Sequence, residues 1–173
     1  MKHDIAPPIF NKTTIAIIWI ALLVATTLVF NHVLEDINNP NQQLTITISK
    51  QGQKQIILER NRYGHYVASG KINGKSVEFL LDTGATLVAI PEYIAHRLNL
   101  KKGRAFLSQT ANGTSQSFAT TIDTLALGDI VMTNVPASIS SGMAFDQILL
   151  GMSFLKHLQL NQQGKTLMIS LPD

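Results

Sequence analysis

An uncharged apolar run from Thr13 to Phe30, TTIAIIWIALLVATTLVF, is the feature that most constrains how this chain can fold. A helix needs roughly 20 mostly apolar residues to cross the hydrocarbon core of a bilayer. The run is apolar on every side, whereas a surface helix of a globular domain has one apolar stripe. We therefore predict a transmembrane anchor at 13–30. The alternative is a cleaved signal peptide, but the run is long and no clear A-x-A cleavage site follows it.

The charges on either side of the run predict its orientation. Lys2 and Lys12 precede it, while Glu35 and Asp36 follow it. Positive residues near a membrane span remain on the cytoplasmic side. We therefore expect the N-terminal segment 1–12 in the cytoplasm and the rest of the chain outside it.

The segment after the run, NHVLEDINNPNQQ, is polar and contains Pro40, which is typical of a linker. We predict a tether at 31–43 and a folded domain at 44–173. The net charge of +3 comes from scattered lysines and arginines, so nucleic acid is not an expected partner. The chain has no cysteine, and its five histidines lack metal-ligand spacing, so no metal site is expected.

The domain has the pattern of short strands and tight turns. Apolar alternation surrounds turn signals at Gly52, Asn73-Gly74, Asn112-Gly113 and Gly128-Asp129, and TLMISL closes the chain as a strand. Only PEYIAHRLNL and MSFLKHL have helical patterns. The predicted class is mainly β, a small closed or nearly closed barrel with one or two short helices.

One carboxylate interrupts an apolar strand in FLLDTGATLVAIP, the run from Phe79 to Pro91. Burying Asp82 would cost several kcal/mol unless it is paired, hydrogen-bonded or functional. Thr83 supplies a hydroxyl, and Gly84 allows a sharp turn or a close approach of backbone. From the triplet alone two interpretations remain open, a functional carboxylate and an Asx turn in which Asp82 caps its own backbone.

The stretch LLDTGAT resembles the catalytic loop of retropepsin-like aspartic proteases (clan AA). The longer run GHYVASGKINGKSVEFLLDTGATLVAIP, with TANGT and ILLGMSFL further on, resembles the membrane-anchored bacterial branch of that clan. The resemblance covers most of the chain beyond the tether. It implies a retropepsin-like closed barrel, a flap hairpin at Asn112-Gly113, and Leu149-Leu150-Gly151 passing behind the catalytic loop. From the residues alone, Gly151 is equally an ordinary helix-entry turn.

The resemblance also implies roles. Asp82 would be the shared acid and base, Thr83 would bond across a dimer interface, and Gly84 would let backbone come close. Thr86 would finish the loop with a local bond. The implied substrate-binding residues are Ala85, Thr110, Ala111, Asn112 and Gly113, which would hold an extended peptide in β fashion.

Hydrolysis without a metal or a covalent nucleophile needs one group to take a proton and another to donate one. Two carboxylates that share a proton can do both. Asp123, Asp129 and Asp146 are not followed by Thr-Gly, so we expect them to be turn or surface carboxylates. We therefore expect Asp82 to pair with its copy in a homodimer, without any cofactor.

These inferences together describe an aspartic endopeptidase in the inner membrane, with a periplasmic domain that acts on a peptide or protein substrate. Two other functions remain open, because a fold does not guarantee an activity. The domain could be a catalytically silent peptide-binding module, or a tethered module whose dimerisation is its function.

Overall fold

A computed structural model of the protein describes residues 11–48, 52–110, 113–143 and 146–172. Within these residues the chain forms three helices and eleven strands, and the predicted mainly β class is confirmed. The helices are α1 (Lys12–Asn38), α2 (Glu92–Arg97) and α3 (Met152–Leu155). The strands are β1 (Thr45–Ile48), β2 (Lys54–Glu59), β3 (Val67–Ile72), β4 (Lys75–Leu81), β5 (Val88–Pro91), β6 (Ala105–Thr110), β7 (Gly113–Leu127), β8 (Ile130–Ser140), β9 (Ile148–Leu150), β10 (Gln159–Gln163) and β11 (Thr166–Ser170).

Helix α1 is long and apolar enough to cross a membrane, by length and composition alone. Asn11 caps its first turn, because its side-chain oxygen accepts from both the amide and the hydroxyl of Thr14 at 2.7 Å. The hydroxyls of Thr26 and Thr27 donate to carbonyl oxygens one turn earlier, at 2.8 Å. The polar groups of these threonines are thus satisfied within the helix, as a hydrocarbon environment requires.

The structure differs from the predicted tether at 31–43. Helix α1 continues through this segment to Asn38, and Asn39 and Asn41 are buried. The compact β unit comprises Ile37–Asp173, so it begins before the predicted start of the domain.

Two asparagine side chains explain this difference. Asn41 donates to the carbonyl oxygens of Glu59 and Val67 at 2.9 and 2.7 Å and accepts from the Glu59 amide at 2.7 Å. It therefore joins β2 to the start of β3 in place of a main-chain ladder. Asn39 donates to the Glu78 carboxylate at 2.7 Å. Since buried polar groups must be paired, these bonds hold residues 39–41 within the β unit.

The strands form two sheets. One has the order β1-β2-β11-β10, and the other has the order β3-β4-β9-β5-β8-β7-β6. Strand β3 also pairs with β7, through Lys71–Ala126 and Ile72–Leu125, and this pairing closes six strands of the larger sheet into a ring. Most pairs are antiparallel, but β4 pairs with β9 in parallel, and so does β5 with β8.

The predicted hairpins are confirmed where the structure describes them. Asn73 and Gly74 have φ values of 49° and 78°, as the favoured two-residue hairpin turn requires. Strands β7 and β8 join at Gly128-Asp129, and β1 pairs with β2. Strands β6 and β7 pair up to Thr110 and Gly113. The short strands β5 and β9 and the polar strand β10 were not predicted.

The core consists of side chains from both sheets and from the short helices α2 and α3. Phe79, Ile90, Ile139 and Ile148 are fully buried in one cluster that also includes Phe154 of α3. Each such side chain contributes about 1.5–3 kcal/mol relative to an exposed one. Because β4, β5 and β9 share this core, the loop between β4 and β5 leaves and re-enters a rigid framework.

Candidate active site

Asp82 is the first residue after strand β4. The last residue of that strand, Leu81, pairs with Leu150 of β9, and the Asp82 amide donates to the Leu150 carbonyl at 3.2 Å. The Asp82 residue is half buried. The apolar strand therefore ends just before the carboxyl group, which is not taken into the core.

A tight turn holds one oxygen of this carboxyl group. The Gly84 amide donates to Asp82 Oδ1 at 2.8 Å, and the Ala85 amide donates to the Asp82 carbonyl at 3.2 Å. This is the local bond of the Asx-turn interpretation. It leaves Oδ2 without a hydrogen bond to the described residues. The turn therefore orients the carboxyl group, and one of its oxygens remains available to bind another group.

Gly151 packs directly behind the loop. A Cβ at this position would lie 2.2 Å from the Leu87 carbonyl oxygen and 2.6 Å from that of Ala85. The residue also precedes the first turn of α3, with φ −90°. Both interpretations of Gly151 therefore hold, and the reason for glycine is space and not backbone conformation.

Hydrogen bonds from the start of α3 hold the loop on the side where Gly151 lies. The Met152 amide donates to the Ala85 carbonyl at 2.7 Å, and the Ser153 amide donates to the Thr86 carbonyl at 2.9 Å. The Ser153 hydroxyl accepts from the Val88 amide at 2.9 Å. Backbone bonds on both sides of the loop restrict its movement, which a site for precise chemistry requires.

Thr83 is exposed, and it borders a cavity of about 280 Å³. The other lining residues are Tyr66, Leu81, Leu155, Leu160, Gln162 and Leu167. The Tyr66 hydroxyl is buried and has no hydrogen-bond partner among the described residues. A buried hydroxyl without a partner costs about 1–3 kcal/mol, so a hydrogen-bond partner for Tyr66 would stabilise the protein.

The predicted flap corresponds to the hairpin of β6 and β7. Thr110 pairs with Gly113 at its end, while Ala111 and Asn112 lie outside the described residues. Leu107 in β6 is 74 % exposed. The structure thus places Asp82, Thr83, Gly84 and Ala85 in one loop, and Thr110 and Gly113 on this separate hairpin.

The other aspartates considered as partners are engaged elsewhere. Asp129 forms an ion pair with Lys54 at 2.7 Å, Asp123 accepts from Asn73 at 3.5 Å, and Asp146 accepts from the Tyr93 hydroxyl at 2.5 Å. All three are exposed, so their predicted assignment as turn or surface carboxylates is confirmed.

Two further observations concern side-chain clusters and cavities in the described part of the chain. Within the described ranges, no three His, Asp or Glu side chains are grouped to hold a metal ion. A larger cavity of about 810 Å³ mixes Lys71 and Arg97 with Glu78 and includes no residue of the loop 82–86. The smaller cavity is the one that borders the loop.

Sequence reasoning missed Tyr66 and Ser153. Neither is part of a motif, since each acquires its place from contacts with residues distant in sequence. The only signal was position, because Tyr66 directly precedes the strand before the Asn73-Gly74 turn and Ser153 lies two residues after Gly151.

The family model of the gag-polyprotein putative aspartyl protease matches residues 68–157, which is just over half of the chain. The chain belongs to this aspartyl protease family. The match begins in β3, includes the Asp82 loop and the β6–β7 hairpin, and ends just after α3. It therefore spans the elements that build and support the loop.

Solved and curated proteins agree with this family. A crystal structure of a retropepsin-like aspartic protease from Rickettsia conorii superposes with a TM-score of 0.58 and 27 % identity, covering 75 % of this chain and 96 % of that one. The retropepsin-like fold is thereby confirmed.

Two curated relatives are uncharacterised proteins. One, from the region 5′ of cobV in a Sinorhizobium species, is 31 % identical over 121 residues, which is 68 % of this chain and 52 % of that protein. The other, from Rickettsia prowazekii, is 29 % identical over 120 residues, which is 66 % of this chain and 50 % of that protein. The chain thus spans about half the length of the curated relatives it matches.

Proposed function

We propose that this protein is a membrane-anchored aspartic endopeptidase whose catalytic dyad forms between the Asp82 residues of two copies. The observation that carries the proposal is the loop itself: one carboxyl group, oriented by the Gly84 amide and backed by Gly151, with its second oxygen free of bonds to the described residues. Such a carboxyl group can exchange a proton with water or with a peptide carbonyl.

The chemistry needs two such groups. The ionised carboxylate takes a proton from water as the water oxygen attacks the peptide carbonyl carbon, and the protonated partner gives its proton to the carbonyl oxygen. In the collapse of the tetrahedral intermediate, one of its hydroxyls returns a proton to the carboxylate that is now ionised, the C–N bond breaks, and the other carboxyl group gives its proton to the nitrogen. The dyad ends with one proton shared, as it began.

The surface around Thr83 supports assembly from two copies. Thr83 is exposed beside Asp82, and the cavity next to it is lined in part by Tyr66, whose hydroxyl is buried without a partner among the described residues. A second copy placed with its Asp82 against the first, across a two-fold axis, would cover this surface. In that assembly Thr83 bonds across the interface and Tyr66 gains a polar neighbour.

The substrate is an extended peptide held between the loop and the β6–β7 hairpin. Its backbone bonds in β fashion to the hairpin, whose predicted contacts are Thr110, Ala111, Asn112 and Gly113, while Ala85 borders it in the loop. Exposed Leu107 adds an apolar contact on the hairpin. Helix α1 anchors the protein in the inner membrane, with the protease domain in the periplasm.

The test compares cleavage of a mixed peptide library by the full-length protein and by Asp82→Asn. We expect cleavage by the wild type and its loss in the variant. Asp129→Asn is the matched control, because it neutralises an exposed aspartate that lies outside the loop. A silent binding module would bind peptides without cleavage in any of the three proteins.

Mixed dimers test the shared dyad. One wild-type copy paired with one Asp82→Asn copy should lose nearly all turnover and still bind peptide, because one carboxyl group cannot be acid and base together. Wild-type activity should follow a bell-shaped pH profile, since a dyad titrates in two separated steps. Full turnover in the mixed dimer would refute the shared mechanism.

A further inference from the structure

Glu92, the first residue of α2, connects two segments that are distant in sequence. Its Oε1 accepts from the ammonium group of Lys102, with which it also forms an ion pair, and its Oε2 accepts from the Ser141 hydroxyl at 2.5 Å. The two oxygens of one carboxylate thus hold two different loops. We refer to Glu92, Lys102, Phe118 and Ser141 as the Glu92 cluster.

The first of these segments is the base of the β6–β7 hairpin. Lys102 precedes β6, and its ammonium group lies 4.4 Å from the centre of the Phe118 ring in β7. Beside it, the Gly103 amide donates to the Ala119 carbonyl at 2.8 Å, and the Ala119 amide donates to the Arg104 carbonyl at 2.9 Å. Lys102 therefore sits where both strands of the hairpin leave the body of the domain.

The second segment is the loop between β8 and β9. Its first residue, Ser141, donates its amide to the Gln116 carbonyl at 3.4 Å. A Cβ on Gly142 would lie 2.5 Å from the Ser115 hydroxyl oxygen, so this loop packs against β7 close to Gly113. The Glu92 side chain thus reaches the hairpin directly at its base and indirectly near its end.

We propose that Glu92 is a positioning residue that holds the β6–β7 hairpin in the orientation that binds substrate. The proposal rests on the proposed function, in which this hairpin covers the peptide. Helix α2 follows β5, which follows the Asp82 loop, so the cluster links the hairpin to the same framework that holds Asp82. Without the Glu92 charge the hairpin base loses the ion pair that joins it to α2, and keeps its main-chain bonds and the packing of Phe118.

The charge state of Glu92 agrees with this role. The hydrogen bonds from Lys102 and Ser141 lower the pKa of Glu92 below its ordinary value. Lys102 is the charged group that faces it from the neighbouring segment, and Ser141 faces it from the β8–β9 loop. Because the folded-state pKa is lowered, the cluster is complete above pH 4.5 and is lost only as the pH falls through that lowered pKa. The hairpin is therefore held at the mildly acidic pH that suits a carboxyl dyad.

The test uses Glu92→Gln in the full-length protein in detergent micelles, with Asp129→Asn as the matched control. That control removes a more exposed ion pair, Lys54–Asp129, which lies outside the cluster. Hydrogen exchange of peptides covering 105–120 should be about two- to fivefold faster in Glu92→Gln and unchanged in the control, the range that an exposed ion pair supports. This readout needs no activity, so it stays informative if the proposed function fails.

Kinetics complete the test. We expect KM to rise about two- to fivefold in Glu92→Gln, with kcat changed less than twofold, because the hairpin binds substrate and transition state alike. Unchanged exchange in Glu92→Gln, or equal acceleration in the Asp129→Asn control, would each overturn the proposal.

Discussion

Gly151→Ala tests whether the backing of the Asp82 loop determines catalysis. The added methyl group would meet the Leu87 carbonyl oxygen at 2.2 Å and the Ala85 carbonyl oxygen at 2.6 Å, whereas real Cβ atoms stay beyond 3.0 Å. The loop and the Gly151 backbone must therefore separate by at least 0.8 Å, the difference between 2.2 and 3.0 Å. Both contacts are to backbone, so no side chain can rotate away to relieve them.

Two consequences follow, and they differ in size. Overpacking costs about 1–3 kcal/mol of unfolding free energy, which for a domain of this size lowers Tm by roughly 3–10 °C. A displacement near 1 Å of a catalytic group lowers turnover by up to about 100-fold. We expect kcat to fall roughly 10- to 100-fold at a temperature where the variant is fully folded.

Gly70→Ala is the matched control. Its methyl group would lie 2.5 Å from the Phe79 ring and 2.6 Å from the Ala126 carbonyl oxygen, so its stability cost should be similar, yet Gly70 lies within β3 and outside the loop. Thermal unfolding and peptide-cleavage kinetics are measured on both variants. If both lose turnover equally, or if Gly151→Ala keeps wild-type kcat, the loop does not depend on this backing.

Three further predictions follow from other contacts. Asn41→Ala leaves the Glu59 amide and the carbonyl groups of Glu59 and Val67 unpaired, so the unfolding free energy should fall by about 2–4 kcal/mol; chemical denaturation checks this, and a loss below about 0.5 kcal/mol would contradict it. Tyr66→Phe should weaken dimerisation about two- to tenfold in a fluorescence-transfer assay while raising the Tm of the monomer, because the hydroxyl it removes is buried there without a partner among the described residues; equal dimer affinity would remove Tyr66 from the interface. A reporter fused after Asp173 should be active only on the periplasmic side, with a fusion before Met1 as the cytoplasmic control, and the opposite pattern would reverse the proposed orientation.

The local features of this fold could be predicted from sequence because single residues determine them. Asn73 and Gly74 both adopt positive φ, a conformation that few residues accept, and so the turn and its two strands were predictable. The importance of Asp82 was also predictable, because a carboxylate in an apolar run costs free energy unless it is paired, hydrogen-bonded or functional. The backing by Gly151 was expected from the resemblance, and only the structure shows the space that requires it.

Features that depend on distant partners could not be predicted. Strand β10, with the sequence QLNQQ, has no apolar alternation and forms because β11 offers it a ladder. Asn41 looked like linker, because nothing local shows that β2 and β3 need its amide. Glu92 begins a helix as many glutamates do, and only the fold brings Lys102 and Ser141 to it.

The parallel pairing of β4 with β9 has a consequence for the order in which the molecule matures. Asp82 leaves the ribosome long before Leu150 and Gly151, and a contact between residues so far apart forms only after the intervening chain has been made. A nascent or truncated chain that stops before β9 would carry the triplet without the strand that supports it. The loop that presents the carboxyl group thus gains its backing from β9 and Gly151 only near the end of synthesis, and under the proposed function an incomplete chain would lack a supported dyad.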